Sequence, residues 1–305
     1  MKDGQQKIVP HLWFDKEAKE AAKFYVSAFG EDSKVTNVAT IVDTPSGDVD
    51  VVTYSLLGYE FTAFSAGSMF KINPSVSFFV NFDPSKRPDA LAELNDLWRS
   101  LAEDGTVFMP LDTYPFSERY GWVQDRYGVS WQLIISNPAG DARPAILPSL
   151  MFTEQMCGKA EEARHFYTSI FKDSDKGIIA RYGSDQVPDK EGTVMYEDFM
   201  LCGQWFTAMD SARMHSFSFN EAISFAVNCD TQEELDFFWT ELSAHPESEQ
   251  CGWIKDKYGL SWQIVPTRMG ELMGGTPKQR NRVTQAFLSM KKIDIASLER
   301  AYHGE

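Results

Sequence analysis

The 305-residue chain is 43% apolar and carries a formal charge of −15, enough apolar content to bury the cores of two domains. That charge excludes a general binder of nucleic acid or of anionic membrane, both of which need basic patches. The sequence has no run of about 18 uninterrupted apolar residues, and MKDGQQK leads into no secretory core, so a cytoplasmic protein without membrane partners is expected.

Taken in order, residues 1–7 are polar and expected to be loose. Ile8–Phe14 (IVPHLWF) predicts a strand, with Pro10 near its start, where a missing donor is tolerated. Asp15 is the expected N-cap of a helix to about Phe29, with Ala18, Ala21, Phe24, Tyr25 and Ala28 at helical spacing. Three strands are expected over 35–42, 49–57 and 59–65, with Thr44-Pro45-Ser46-Gly47 and Gly58 as turns. The β-α-β-β-β pattern then repeats: a strand over 75–82, a helix from Pro88 to about Ala102, and strands near 106–110, 121–124 and 129–134.

The second half repeats this order after a linker at 138–144. Leu147–Phe152 matches the first strand, a helix over 161–171 carries Phe166-Tyr167 against Phe24-Tyr25, and ISFAVNCD (223–230) matches VSFFVNFD (76–83). Thr231 and Glu234 predict a capping box, and Thr276-Pro277 predicts the start of a helical tail. The strongest internal match is GWVQDRYGVSWQLI (121–134) against GWIKDKYGLSWQIV (252–265), where eight of fourteen positions are identical. Gly128 and Gly259 suit the positive φ that the central turn requires. All four cysteines (Cys157, Cys202, Cys229, Cys251) lie in the second half without a C-x-x-C pair. Free, buried thiols are therefore expected rather than disulfides or a structural zinc site.

These words resemble the glyoxalase/bleomycin-resistance/dioxygenase, or vicinal oxygen chelate, superfamily. Within it they are similar to the PhnB-like branch, often labelled 3-demethylubiquinone-9 3-methyltransferase. The resemblance rests on HLWF with its FY helix, SFFVNFD and ISFAVNCD, the two GW-x-x-D-x-YG-x-SWQ blocks and RVTQAFLSMKKIDIASLE. It implies an α+β fold of tandem glyoxalase-like domains, 7–138 and 145–268, each of two βαβββ modules, plus a C-terminal helical tail over 276–303. It further implies that the two modules of each domain form one curved sheet with a ligand on its concave face. An internal pseudo-dimer is expected, with a homodimer as the alternative assembly.

The resemblance also maps ligand positions, which strand alternation sorts by face. In the first domain they fall on His11, beside Trp13 on the same face, and on Ser77 and Gln132; the fourth-strand position lies within 62–64. In the second domain they fall on Ser149, Ser224 and Gln263, with the fourth strand at 207–209. A divalent site wants three or four imidazole or carboxylate donors, and only His11 qualifies. The expectation is accordingly no cofactor, with a divalent metal in the first domain as the alternative. His11 is either a general base or a hydrogen-bonded cavity histidine; Gln132 and Gln263 either orient a ligand or close the sheet. His215, Arg119 and Tyr120 are read as loop residues near a cavity mouth. No G-x-G-x-x-G turn supports a Rossmann-type methyltransferase, and no G-x-S-x-G elbow supports a hydrolase. Two functions stay open: a small-molecule-binding protein of the bleomycin-resistance type, and a metal-dependent lyase, isomerase or dioxygenase centred on His11.

Overall fold

The computed structural model describes residues 6–44, 47–137 and 140–305. The expected loose start (1–5), the centre of the first turn (Pro45, Ser46) and the start of the linker (Pro138, Ala139) lie outside the described residues.

Four modules follow one another. The first comprises β1 (Ile8–Phe14), α1 (Ala18–Phe29), β2 (Lys34–Thr44), β3 (Gly47–Leu56) and β4 (Tyr59–Ser65); the second β5 (Val76–Phe82), α2 (Ala90–Ala102), β6 (Thr106–Tyr114), β7 (Ser117–Gln124) and β8 (Ser130–Ile135). The third comprises β9 (Ile146–Phe152), α3 (Ala160–Ile170), β10 (Asp175–Arg181), β11 (Val194–Leu201) and β12 (Gln204–Asp210). The fourth has β13 (Ile223–Cys229), α4 (Gln232–Leu242), β14 (Trp253–Lys255) and β15 (Ser261–Pro266), one strand fewer than its siblings. The tail adds α5 (Met269–Met273), α6 (Pro277–Leu288) and α7 (Ile295–His303).

Side-chain caps start three of the described helices, α4, α6 and α7, in the last of which Asp294 accepts the Ser297 N–H. Thr231 Oγ1 accepts the Glu234 N–H, and the Glu234 carboxylate returns to the Asp230 N–H at 2.8 Å, one residue before the position a strict capping box uses. Thr276 and Gln279 form the reciprocal box at α6. Asp15 does not cap α1, which starts three residues later, with Glu17 at the N-cap and no side-chain cap.

The sheets correct the expected partnership of modules. One sheet runs β14-β15-β13-β1-β4-β3-β2 and the other β10-β11-β12-β9-β5-β8-β7-β6. The first module thus shares a sheet with the fourth, and the second with the third. The reason is edge pairing: β1 lies antiparallel to β13 (His11 opposite Ser224) and β5 lies antiparallel to β9 (Ser77 opposite Ser149). The two modules within each half meet instead through their helix-side faces. Phe61 packs on Phe78 (5.0 Å) and Tyr25 on Trp131 (5.4 Å) in one half; Phe206 packs on Phe225 (5.6 Å) and Tyr167 on Trp262 (5.5 Å) in the other. The core lies between the sheets, and each sheet keeps its other face for a site.

The repeated block is a staple for this core. Asp125 Oδ1 accepts the N–H groups of Tyr127 (2.8 Å) and Val129 (3.1 Å), and its Oδ2 accepts Trp131 Nε1 (2.8 Å). Asp256 repeats this with Tyr258, Leu260 and Trp262, and also receives the Tyr167 hydroxyl at 2.7 Å. Gly128 and Gly259 turn the chain with φ of 89° and 85°. Asp, Tyr, Gly and Trp recur because one buried carboxylate closes the turn and fixes the indole at once.

The tail makes good the missing strand of the fourth module. The Cys251 and Gly252 N–H groups donate to the carbonyls of Met290 (2.9 Å) and Lys291 (2.8 Å), beside β14. At the far edge of the same sheet α6 lies against β2.

Candidate functional site

The register assembles two floors, each from four strands. In the first, His11 (β1) stands opposite Thr62 (β4) on one side and Ser224 (β13) on the other. Gln263 (β15) donates from Nε2 to Ser224 Oγ at 2.9 Å. In the second, Ser149 (β9) stands opposite Thr207 (β12) and Ser77 (β5). Gln132 (β8) donates from Nε2 to Ser77 Oγ at 2.8 Å. The floors match position for position except that His11 in one is Ser149 in the other.

This arrangement redistributes the expected site residues. His11 and Trp13 do not share a site with Ser77 and Gln132; they lie with Ser224 and Gln263 from the other half of the chain. Ser77 and Gln132 lie with Ser149. The physical cause is the β1–β13 and β5–β9 pairing described above. Sequence reading placed the fourth-strand positions only within 62–64 and 207–209; the pairing selects Thr62 and Thr207.

Electrostatically both floors are neutral. Burial lowers the His11 pKa to about 4, with hydrogen bonding to Gln263 working against the shift, so the imidazole is uncharged at neutral pH. His11 Nδ1 is buried without a hydrogen-bond partner. The Phe64 ring meets the imidazole edge-on at 5.0 Å, and Trp13 meets Phe70 at 5.1 Å and Trp253 at 6.2 Å. Trp13 Nε1 is anchored on the Gly67 carbonyl at 2.6 Å. In the second floor Ser149 Oγ and Thr207 Oγ1 are the buried atoms without partners.

The two concave faces differ in what stands above the floor. Over the second, Phe79, Tyr120 and Leu147 form a buried cluster joined by Tyr196, Trp122, Tyr114 and Trp205. The Tyr120 hydroxyl donates to Gln132 Oε1 at 2.5 Å. Burial keeps that phenol protonated. Over the first floor the places of Phe79, Tyr120 and Leu147 are taken by Ala226, Cys251 and Val9. Cys251 moreover turns aside with φ 51°, its thiol toward the Leu288 carbonyl. Tyr120 was legible only as a residue before the repeat, because nothing in one copy tells what its partner copy lacks.

The fold family implies a metal, and the residues do not fit one. Each floor offers a carboxamide and two hydroxyls, with one imidazole in the first and a third hydroxyl in the second; beside the second, the buried Asp198 opposite Thr207 is already held by Arg143 Nε (2.8 Å) and the Ile178 N–H (2.8 Å). Among the described residues no group of three or more His, Cys, Asp or Glu side chains converges. Elsewhere, His215 Nε2 lies 2.8 Å from Ser211 Oγ on a loop after β12. The cysteines are free, and burial raises the pKa of Cys202 to about 11 and of Cys229 to about 12.

Two curved sheets of βαβββ modules with a polar floor on each define a glyoxalase-like, vicinal oxygen chelate fold. The profile of the 3-demethylubiquinone-9 3-methyltransferase family matches residues 6–134 and again 144–265, and the chain belongs to that family. A PhnB protein of Bacillus cereus carrying the same label is 32% identical over 43% of this chain and 100% of its own, with a TM-score of 0.37. Glyoxalase I of Zea mays is 12% identical over 88% of this chain and 98% of its own, with a TM-score of 0.52, a likeness of fold. A Bacillus subtilis protein described as a dioxygenase is 11% identical over 95% and 94%, with a TM-score of 0.49. No curated protein matches the sequence. No helix among the described residues is long and apolar enough to cross a membrane.

Proposed function

We propose that the protein binds an uncharged small molecule on the concave face that carries His11, Thr62, Ser224 and Gln263. The observation that carries this reading is His11 Nδ1, a buried ring nitrogen without a partner in a floor whose amide is already engaged. A buried polar atom of this kind ordinarily holds a partner or ordered water. The neutral imidazole supports an uncharged ligand, and Trp13, Phe64 and Trp253 supply the flat apolar walls that small-molecule sites use. The aromatic filling of the other face supports one ligand per chain rather than two.

Methyl transfer in the Rossmann manner is not part of this reading. That chemistry uses a doubly wound parallel sheet with a glycine-rich turn, and both sheets here mix parallel with antiparallel pairs. The competing reading is a metal-dependent lyase, isomerase or dioxygenase at His11. Metal content of the purified chain and of His11→Ala separates the two. One equivalent of divalent metal, lost in His11→Ala, would establish the enzyme reading. Metal-free protein whose binding of a screened small molecule weakens in His11→Ala is the expected result.

A further inference from the structure

We propose that the gap between α2 and the β6–β7 hairpin binds a small apolar or aromatic monocarboxylate, with its carboxylate on Arg119. This gap is an open cleft of about 490 Å³ lined by Asn95, Trp98, Arg99, Val107, Leu111 and Arg119, together with Pro110. It lies on the helix side of its sheet, away from both floors.

The counterpart of this gap in the fourth module shows what such a surface takes. Aligning the modules sets Asn95 with Asp236, Trp98 with Trp239, Arg119 with Gln250 and Gly121 with Gly252. There the chain's own tail is the occupant. Gln250 Nε2 donates to the Leu288 carbonyl at 3.1 Å, Lys292 Nζ pairs with Asp236 at 2.6 Å, and Gln232 Nε2 donates to the Ile293 carbonyl at 3.1 Å. Ile293 lies so close over Gly252 that a Cβ there would be 2.9 Å from its Cδ1. The fourth module therefore covers this surface with an apolar side chain and a cation that meets Asp236.

In the second module the charges are reversed. Asn95 replaces the aspartate, and Arg119 replaces the glutamine. Arg119 directs both Nε (3.2 Å) and Nη2 (3.1 Å) at a single acceptor, Asn95 Oδ1, and among the described residues pairs with no carboxylate. Arg99 stands nearby, paired with the exposed Asp96. In a chain of net charge −15, a half-buried guanidinium held by a neutral amide suits an anionic partner. Trp98 supplies a fixed platform: its ring lies on Gly121, where a Cβ would come within 2.5 Å of it. Val107 and Leu111 form the apolar wall. An aromatic monocarboxylate matches the platform, the wall and the cation together.

The test is calorimetric titration of the full chain with 2-naphthoate and with the neutral 2-naphthylmethanol. Naphthoate should bind more tightly than the alcohol, and Arg119→Gln should weaken it by about tenfold or more, the scale of a lost charge-assisted pair. Val107→Asp, at an exposed wall position, should weaken naphthoate as well without burdening the fold, and His11→Ala should leave its affinity unchanged. Equal affinities for acid and alcohol, or no loss in Arg119→Gln and Val107→Asp, would overturn the proposal. So would a loss in His11→Ala, which would place naphthoate on the concave face instead.

Discussion

At the scale of single residues, two buried groups titrate in opposite senses. The folded pKa of His11, about 4, lies below its ordinary value, so the unfolded chain binds more protons between about 4 and 6.5 and stability from this group falls as pH drops through that window. Asp125 is raised to about 6 by burial, opposed by its bonds to Trp131 and the turn amides. Its folded state holds the extra proton, so its contribution is full below about pH 4 and is lost as pH rises through 6. We therefore expect His11→Gln to remove part of the acid destabilisation between pH 6.5 and 4, read as urea midpoints across that range. An unchanged pH profile would mean that the imidazole is not buried neutral. Tyr120→Phe should cost about 1–2 kcal/mol, because it leaves Gln132 Oε1 buried without a donor.

The repeated block carries the element-scale argument. Its turn, its following strand and its indole all depend on one carboxylate. Asp256→Asn leaves one acceptor oxygen where two are used, so the amide cannot serve both the Trp262 and Tyr167 donors and the N–H groups of Tyr258 and Leu260. We expect about 2–4 kcal/mol of destabilisation by urea unfolding, with ligand binding on the concave face retained by the folded fraction. A loss confined to binding, with stability unchanged, would assign the aspartate a functional role instead. At the next element, Gly121→Ala forces the Cβ into the Trp98 ring and should both destabilise the second module and disturb the α2 gap.

For the whole molecule, the decisive feature is that each sheet draws one module from each half of the chain. Residues 1–138 expressed alone would leave β1 without β13 and β5 without β9, two unpaired strands at the middle of their sheets. That segment should therefore dimerise or aggregate, and the two halves expressed together should associate; light scattering and co-purification read both. A folded, monodisperse monomer of residues 1–138 would contradict the pairing. The tail belongs to this scale too, because it supplies at β14 what the fourth module lacks and touches β2 at the far edge.

Much of the fold was legible along the chain. Alternation placed His11 and Trp13 on one face and Leu12 and Phe14 on the other; helical spacing marked Ala18, Ala21 and Tyr25; the duplicated block announced repeated modules. These are local consequences of side-chain period and turn chemistry, which neighbouring residues determine by themselves. The partnership of sheets was not legible, because β1 has equally suitable edges to pair with in either half, and periodicity carries no information about which is chosen. His11 was therefore grouped with Ser77 and Gln132, whereas the β1–β13 register sets it beside Ser224 and Gln263. The role of Tyr120 was hidden for the same reason: a ring that fills one concave face is recognised only when its counterpart, Cys251, is seen to leave the other. Sequence alone determined the order of the modules and the residue at six of the eight floor positions, since those reside in single strands, but left Thr62 and Thr207 within ranges of three. Only the tertiary structure decided which positions meet, because strand pairing between distant modules is a choice among edges that look alike until they are joined.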